Sequence, residues 1–338
     1  MKNEAIPLTR AGLLIPFLTY LDHLGVPIEK RLAAHGLPVN AIQQPEALVA
    51  TRTQLAFVGS IARAEGIVDL GWRIAQAAET KPLGPALMRP LLATPTLYEA
   101  LKVVCAQARS ESSGVEVWLE EASESVYLCH RGTLKPGTLG QDAMTQWRTR
   151  TLISIIRLFA GPRWMPGECL FALSDGLSAH MEEELPRTRF LIAPDYGRLE
   201  IARELLPRPL CADIPLPTSL PGSAPEDVQR NFIDSLQQLL IPYLATGIPS
   251  LVEAAAMAGL QSRSFQRRLE RAGWNYTDVI RAARFEVAKH GLEDPGKHII
   301  DVALEVGFED PSHFSRFFRS MAGVTPRSFR RHKLESDA

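Results

Sequence analysis

The sequence has few of the residues that define disulfide-rich or metal-binding proteins. Its 338 residues include eight scattered histidines and four cysteines, Cys105, Cys129, Cys169 and Cys211. The cysteines are too widely spaced for a zinc-ligand pair and too few for a disulfide framework, so we expect reduced and mostly buried thiols. Neither an HxxxH spacing nor a Walker or Rossmann glycine pattern occurs. We therefore expect no metal site and no cofactor.

Long apolar runs and an excess of charge of one sign are also missing. No stretch approaches the roughly 20 apolar residues that span a bilayer. The N-terminus has an acid at Glu4, an apolar run broken by Pro16 and no good signal-peptide cleavage site. These features predict a cytoplasmic protein without a membrane partner. The formal net charge is -1, so a preference for nucleic acid has to come from local clustering of charge.

Residues 1–210 show both helical and strand periodicity. Apolar residues at three- and four-residue spacing predict helices in 11–78, 96–109 and 143–161. Alternating residues predict strands in GVEVWLEE and ESVYLCHRGTL, joined as a hairpin, and in GECLFALS and GRLEIAREL. The pattern indicates an α+β (mixed α/β) domain. Five aromatic residues are candidates for its core or for a pocket lining: Trp72, Tyr98, Trp118, Tyr127 and Trp147.

A proline-rich stretch follows this domain. The sequence LPRPLCADIPLPTSLPGSAPED contains six prolines and has neither helical nor strand periodicity. Proline at that density prevents a continuous helix or a central strand, so we predict a linker over 211–228. Beyond it the pattern is helical throughout, which predicts an all-α domain over 229–334.

The all-α domain contains an internal pseudo-repeat. The copies are VEAAAMAGLQSRSFQRRLERAG (252–273) and IDVALEVGFEDPSHFSRFFRSMAG (300–323). With one inserted residue in the second copy, four pairs of positions correspond: Ala255 with Ala303, Gly259 with Gly307, Phe265 with Phe314 and Arg267 with Arg316. The small residue lets two helices approach, the glycine can take a positive φ in a tight turn, and the aromatic residue anchors the second helix on the first. Each copy therefore has a helix-turn-helix pattern.

Capping residues predict where the helices of both copies begin. Ser250 and Glu253 have the spacing of a capping box before the first helix, and Ser262 suits the N-cap of the second. Asp310 suits the N-cap of the last basic helix, since Pro311 follows at the first helical position. Helix ends of this kind direct free backbone N–H groups outward, where phosphates can bind.

Aromatic and basic residues of the second copy are expected on opposite faces. The segment from Pro311 to Lys333 contains six arginines or lysines and no acid, and its apolar residues Phe314, Phe317, Phe318 and Met321 form a predicted core stripe. Arginine pairs with guanine and glutamine with adenine in the major groove. The candidate DNA contacts are Arg263, Ser264, Gln266, Arg267 and Arg271 in the first copy, Ser312, His313, Arg316 and Arg319 in the second, and Arg327 and Arg330 in the tail. For His313 and the tail arginines, a solvated surface position is the alternative.

One predicted helix, 276–294, connects the two copies without an intervening proline. A rigid connection of this kind would fix the separation of two recognition helices. They could then enter successive major-groove segments, about 34 Å apart, on one face of the duplex.

These motifs resemble the AraC/XylS family of bacterial transcriptional regulators. GLQSRSFQRRLERAGWNYTDVIRAARFEVAKHGL is similar to the first motif and connecting helix of the family. IIDVALEVGFEDPSHFSRFFRSMAGVTPRSFRR is similar to the second, including the closing Gly-x-x-Pro at Gly323 and Pro326. The resemblance covers about a hundred residues of the C-terminal domain and implies sequence-specific binding of double-stranded DNA.

The N-terminal part resembles, more weakly, the ligand-binding domain of the subgroup with ornithine-utilisation and fatty-acid-responsive virulence regulators. The similar pieces are TPTLYEALKVV, LFAGPRWMPGECLFALS and YGRLEIARELLPRPL. This resemblance implies an effector-binding domain that forms a homodimer, a small-molecule effector of unknown identity, RNA polymerase as a further partner, and activation rather than repression. It does not assign residues to the effector site.

Two other interpretations stay open at this point. One is an enzyme whose DNA-binding tail regulates its own gene, although no motif groups the Asp, Glu and His residues of 1–210. The other is a constitutive DNA-binding dimer without a ligand. Turnover of metabolites by the N-terminal domain would favour the first, and the absence of any ligand-induced thermal shift would favour the second.

Overall fold

The computed structural model describes residues 5–39, 43–78, 85–135, 137–174, 176–193, 195–211 and 231–336. These residues form two compact units. The mixed unit contains the described residues within 7–46 and 51–211, and the helical unit contains 5–6, 47–50 and 231–336. The helical unit thus includes two short N-terminal pieces in addition to the segment expected from the sequence. The predicted linker, apart from Cys211, lies outside the described residues.

The mixed unit combines helices with short strands. Its helices are α1 (Ile15–His23), α2 (Ile28–Ala34), α3 (Thr51–Ala64), α4 (Leu70–Ala78), α5 (Pro85–Leu92), α6 (Leu97–Glu111), α7 (Gln141–Ala160) and α8 (Ala179–Glu184). Its strands are β1 (Leu8–Arg10), β3 (Val115–Glu121), β4 (Ser125–Gly132), β5 (Glu168–Phe171), β6 (Arg189–Ile192) and β7 (Gly197–Ala202). The predicted α+β class is confirmed.

Five of these strands form one sheet in the order β3-β4-β7-β5-β6. The hairpin predicted from sequence is present, because β3 and β4 pair antiparallel with Trp118 opposite Cys129. Strand β6 was not predicted: it has four residues, RFLI, and too short an alternation to stand out. It pairs parallel with β5 at the edge of the sheet.

Helix α7 is the centre of the mixed unit. Its residues are buried from Ala143 to Phe159 except at Arg157, and the helix ends at Gly161, which has a φ of 97°. The helix predicted over 143–161 is therefore confirmed, with a start two residues earlier. Its apolar residues pack against the inner face of the sheet and against Trp72, which is fully buried. Trp72 thus belongs to the core.

A buried ion cluster ties α8 to α7. The Glu184 carboxylate lies 2.8 Å from Arg150 Nε and 3.2 Å from Arg157 Nη1, and it accepts a hydrogen bond of 2.8 Å from Trp72 Nε1. The Arg150 side chain is 7% exposed and the Arg157 side chain 17%. One carboxylate therefore compensates two largely desolvated cations.

The thiols are free but differ in burial. Cys129 and Cys169 are buried, Cys105 is half-buried, and Cys211 is exposed. Burial raises the pKa of Cys105 to about 11 and that of Cys129 to about 12. These thiols stay protonated near neutral pH, which makes them unreactive. The expectation of mostly buried thiols is wrong for Cys211, which lies where the described part of the mixed unit ends.

The helical unit is built from helices and one three-residue strand. Its elements are β2 (Leu48–Ala50), α9 (Phe232–Leu240), α10 (Leu251–Met257), α11 (Ser262–Arg271), α12 (Tyr276–Glu293), α13 (Ile299–Glu305), α14 (Pro311–Ala322) and α15 (Pro326–Ser336). Strand β2 packs against α9. Across the described parts of both units, no helix combines the length and apolar composition that a membrane crossing requires.

Aromatic residues form the core of the second helix pair. Phe314 and Phe318 are fully buried and pack with residues of α12 and α13. Phe317 is half-buried against the same cluster. Met321, the fourth member of the predicted stripe, is 37% exposed. The stripe is correct for the three phenylalanines and wrong for Met321, which is the last residue but one of the helix.

Candidate nucleic-acid interface

The first helix-turn-helix motif consists of α10 and α11. The predicted capping box is present: Ser250 N donates to Glu253 Oε2 at 2.7 Å, and Glu253 N donates to Ser250 Oγ at 3.3 Å. The bonds to Ser250 hold the pKa of Glu253 below its ordinary value. Gly259 takes a φ of 70° between the helices, as the turn requires.

Helix α11 begins one residue earlier than the capping pattern indicated. Gln261 is the N-cap, no side-chain capping bond forms there, and Ser262 is the first helical residue. The predicted N-cap at Ser262 is therefore wrong. Because the extended Gln261 already starts the helix, the Ser262 backbone is helical and its hydroxyl cannot cap.

The second motif consists of α13 and α14. Asp310 caps α14 as predicted, since its Oδ1 accepts a hydrogen bond of 2.7 Å from Ser312 N, and Pro311 follows at the first helical position. Hydrogen bonding to Ser312 holds the pKa of Asp310 below its ordinary value. His313 Nε2 lies 3.6 Å from Asp310 Oδ2, so this imidazole is next to the capping carboxylate at the start of the recognition helix.

Helices α11 and α14 each bury one face and expose the other. Phe265 and Leu269 are buried, and the Phe265 ring contacts the rings of Phe232 and Tyr276. The predicted contact residues on the other faces are exposed, except that Ser264 is half-exposed: Arg263, Ser264, Gln266, Arg267 and Arg271 on α11, and Ser312, His313, Arg316 and Arg319 on α14. Each motif therefore presents a basic surface supported by an apolar core.

The tail arginines differ from one another in the structure. Arg327 is exposed. Arg330 Nε donates to the carbonyl of Leu292 at 3.1 Å, and Arg330 Nη2 is buried. The Arg330 guanidinium thus lies against the C-terminal end of α12, where a cation interacts favourably with the helix dipole. The Arg330 side chain therefore stabilises the packing of the helical unit and does not point outward like Arg327.

Several arginines that the sequence did not single out pack on aromatic rings. The Arg268 guanidinium lies 4.5 Å from the ring centre of Phe232, and that of Arg284 lies 4.9 Å from Phe308. Burial lowers the pKa of Arg284. These positions follow the buried faces of α11 and α12, so helical periodicity relative to Phe265 and Ala288 would have separated them from the outward arginines.

Two structural features connect the motifs. The 18-residue helix α12 is about 27 Å long at 1.5 Å per residue, and Tyr276 Oη near its start donates to the carbonyl of Pro249 at 2.7 Å. In addition, a Cβ at Gly307 would lie only 2.1 Å from the carbonyl oxygen of Leu244. The glycine turn of the second motif therefore packs on the backbone that follows α9, beside the first motif.

This contact predicts an unequal effect of two glycine substitutions. Gly307 has a φ of 78° and Gly273 a φ of 76°, so alanine is strained at both, but the space around Gly273 is open. We expect G273A to cost about 1 kcal/mol and G307A about 2–3 kcal/mol of unfolding free energy. Urea unfolding of both variants measures the difference. Equal costs would show that the Leu244 contact is not close in solution.

The architecture of the two units defines the class of this protein. It is a helix-turn-helix protein, because its helical unit contains two such motifs, and it has an additional α+β domain. A family model described as a helix-turn-helix domain matches residues 254–332. A second model, described as the arabinose-binding domain of AraC transcription regulators, matches residues 25–210. Because this match covers more than half of the chain, the chain belongs to the AraC family of transcription regulators.

Individual relatives match over shorter segments. The chain is 30% identical over 110 residues to the transcriptional activator RhrA of Rhizobium meliloti (strain 1021), covering 32% of this chain and 35% of that protein. It is 31% identical over 104 residues to the ornithine utilization regulator of Pseudomonas aeruginosa, covering 31% of this chain and 30% of the relative. These matches span about a third of each relative's length.

A solved structure matches over most of the chain, at low similarity. The transcriptional regulator CdpR from Pseudomonas aeruginosa aligns over 90% of this chain and 96% of its own, with 17% sequence identity and a TM-score of 0.36. This score is too low for the alignment to define corresponding positions.

Proposed function

We propose that the protein is an effector-responsive, sequence-specific transcriptional regulator that acts in the cytoplasm without enzymatic activity. The helical unit binds double-stranded DNA, and each protomer reads two adjacent major-groove segments. The mixed unit binds a small-molecule effector and forms a homodimer. In functional terms we propose domains at 1–210 and 229–334, joined by 211–228.

One observation carries the DNA-binding part of the proposal. Arg267 on α11 and Arg316 on α14 occupy corresponding positions of the pseudo-repeat, and both are exposed on helices whose opposite faces are buried. Guanidinium groups on such helices suit base edges and phosphates. Helix α12 and the Gly307 contact support a fixed separation of the two surfaces.

The proposed DNA contacts are chosen by the exposure of each side chain. We propose that the outward side chains of α11 and α14, together with Arg327, contact DNA. Among them Arg267, Arg316 and Gln266 are proposed to reach base edges, because residues of these types discriminate between bases. Arg330 is not included, since its guanidinium binds the Leu292 carbonyl.

Regulation by an effector is favoured by a cavity in the mixed unit. It has a volume of about 840 Å³ and is lined by polar and apolar side chains of β4, α7 and neighbouring loops. Its volume is in the range of small-molecule sites. The cavity supports effector binding over a constitutive DNA-binding dimer. Activation through RNA polymerase is proposed from the relative named a transcriptional activator.

Selection from a random duplex pool tests the proposal. We expect the full-length chain to enrich a motif with two information-rich segments separated by about one helical turn. Duplexes recovered with the protein and those recovered with an R267Q/R316Q variant are sequenced in parallel. Enrichment of no motif, or of the same motif by the variant, would contradict the proposal.

A further inference from the structure

The cavity of the mixed unit contains a buried charged side chain, Arg148, that forms no ion pair with a carboxylate of the described residues. Arg148 lies on α7 and lines the cavity together with Gln141 and Thr145, which precede it at a spacing that places all three on one face of the helix. Arg148 is only 8% exposed. Burial lowers its pKa to about 10, so the guanidinium is still charged near neutral pH.

The polar partner of Arg148 is a neutral histidine. Arg148 Nη1 lies 3.4 Å from His130 Nδ1, and in the described part of the chain no Asp or Glu forms an ion pair with this arginine. Arg150, two residues further along α7, does have the Glu184 carboxylate. A buried guanidinium without a counter-charge is costly, unless another anion occupies the site.

Hydrogen bonds fix the state of His130. Arg148 carries only donors, so His130 Nδ1 is the acceptor and its proton is on Nε2. Nε2 lies 3.0 Å from Thr149 Oγ1, and that hydroxyl donates to the Thr145 carbonyl at 2.9 Å. Burial and the Arg148 charge hold the pKa of His130 well below its ordinary value. The imidazole is therefore neutral and does not repel Arg148.

A glycine on the neighbouring strand leaves room for the His130 ring. His130 on β4 pairs with Gly197 on β7. A Cβ at Gly197 would lie 2.6 Å from His130 Cε1, so a side chain at 197 would displace the ring. The sheet thus positions the imidazole against Arg148 Nη1, and both side chains line the cavity.

We propose that this cavity is the effector site and that Arg148 binds the carboxylate of a small polar organic acid, such as a hydroxy acid or an α-amino acid. The inference rests on the proposed function and names the ligand class for it. The planar guanidinium matches a carboxylate with two parallel hydrogen bonds. The ligand supplies the counter-charge that Arg148 does not receive from the described residues.

Charge balance around the cavity selects a single carboxylate and a polar body. Glu116, Asp142 and Asp195 line it along with Arg131 and Lys135. Arg131 is already paired with Glu116 at 2.6 Å. A dianion would place excess negative charge near these acids, whereas one carboxylate compensates Arg148 alone. The charged and polar side chains within the mixed lining also disfavour a long alkyl chain, because covering them without hydrogen bonds is unfavourable.

Ligand-induced thermal shifts of the full-length protein test the proposed class of ligand, the polar monocarboxylates. The probes are L-lactate, L-serine and L-glutamine. The controls are their amides (L-lactamide, L-serinamide and the α-amide of L-glutamine), in which a carboxamide replaces the carboxylate, and the competing ligand classes are represented by succinate, inorganic phosphate and octanoate. We expect at least one polar monocarboxylate to raise the melting temperature and its amide to have no effect. No response to any of the three acids, or a response confined to the amides or to the competing classes, overturns the proposal.

Variants of Arg148 test whether this residue binds the carboxylate. With the acid that gives a shift, R148M is expected to abolish the response, and R148K to weaken binding at least about tenfold because the paired hydrogen bonds are lost. R131M is the matched control, since Arg131 lines the same cavity but is paired with Glu116, and its response should persist. An unchanged response of R148M overturns the assignment.

The melting temperature of the unliganded protein distinguishes a ligand-binding arginine from one that stabilises the fold. R148M removes an uncompensated buried charge, so we expect the melting temperature without ligand to rise by about 2–4 °C. R150M removes a paired charge and should lower it. If R148M lowers the melting temperature as much as R150M, Arg148 is a structural residue and the proposal fails.

DNA binding separates this proposal from the proposed function. R148M without ligand should still bind the duplex selected by the wild type, because Arg148 lies in the mixed unit. Loss of DNA binding by the wild type with an intact acid response would contradict the proposed function alone. Intact DNA binding without any acid response would contradict the ligand site alone.

Discussion

The R267Q/R316Q variant is expected to bind its selected duplex about 100-fold or more weakly than the wild type, because each arginine contact is worth about 1–3 kcal/mol. Both side chains are exposed on helices that bury their other faces, and neither forms an ion pair or a side-chain hydrogen bond with the residues that the structure describes. The substitutions should therefore leave the unfolding free energy nearly unchanged. The loss would be specific to binding.

Fluorescence anisotropy with a labelled duplex measures this effect. K289Q is the matched control: it removes one positive charge from α12, where Lys289 pairs with Glu286 rather than lying on a recognition helix. We expect K289Q to bind nearly as tightly as the wild type and to change affinity equally for selected and scrambled duplexes. If R267Q/R316Q weakens binding to the selected and the scrambled duplex by the same factor, the two arginines act only as general charge.

The E184A variant is expected to lose about 3–5 kcal/mol of unfolding free energy in the mixed unit. Glu184 compensates Arg150 and Arg157 and accepts the indole N–H of Trp72. Its removal leaves two desolvated guanidinium groups and a buried indole donor without this partner. The same cluster holds α8 against α7, the helix that carries Arg148.

Chemical unfolding followed by tryptophan fluorescence reports on this cluster, since Trp72 is part of it. E183A is the matched control, because Glu183 is the neighbouring residue on α8 and is exposed. E183A is expected to stay within about 0.5 kcal/mol of the wild type. A similar, small change for both variants would mean that the Glu184 pairs are hydrated in solution.

The helical unit was largely predictable from the sequence because its signals are local. The turn glycines, the Ser250 and Asp310 caps and the alternation of Phe265 or Phe314 with basic residues all lie within a few residues of one another. The misplacement of the α11 N-cap from Gln261 to Ser262 shows the limit of such patterns. The pattern favours Ser262 because serine is a common N-cap, whereas the helix begins after Gln261 without a side-chain cap.

The direction of individual side chains was less predictable. Arg330 was expected to face DNA, but its guanidinium binds the carbonyl of Leu292, 38 residues earlier in the chain. Contacts of that range depend on how α12 and α15 pack. Met321 is a similar case, because a helical stripe does not show where its buried part ends.

The cavity of the mixed unit was not predictable from the sequence. His130, Arg148 and Gly197 are brought together by the packing of α7 on the sheet and by the pairing of β4 with β7. None of these residues forms a motif in the sequence. A basic residue within the apolar run of α7 was the available signal, but Arg148 and Arg150 look alike there, and only the structure shows that one is paired with Glu184.

Hydroxyl-radical footprinting of the full-length protein on its selected duplex tests most directly that both motifs bind one face of DNA together. We expect each protomer to protect two segments centred about 10–10.5 base pairs apart. R267Q should weaken protection of one segment and R316Q that of the other. A single protected segment per protomer, or loss of the same segment in both variants, would contradict joint recognition by the two motifs.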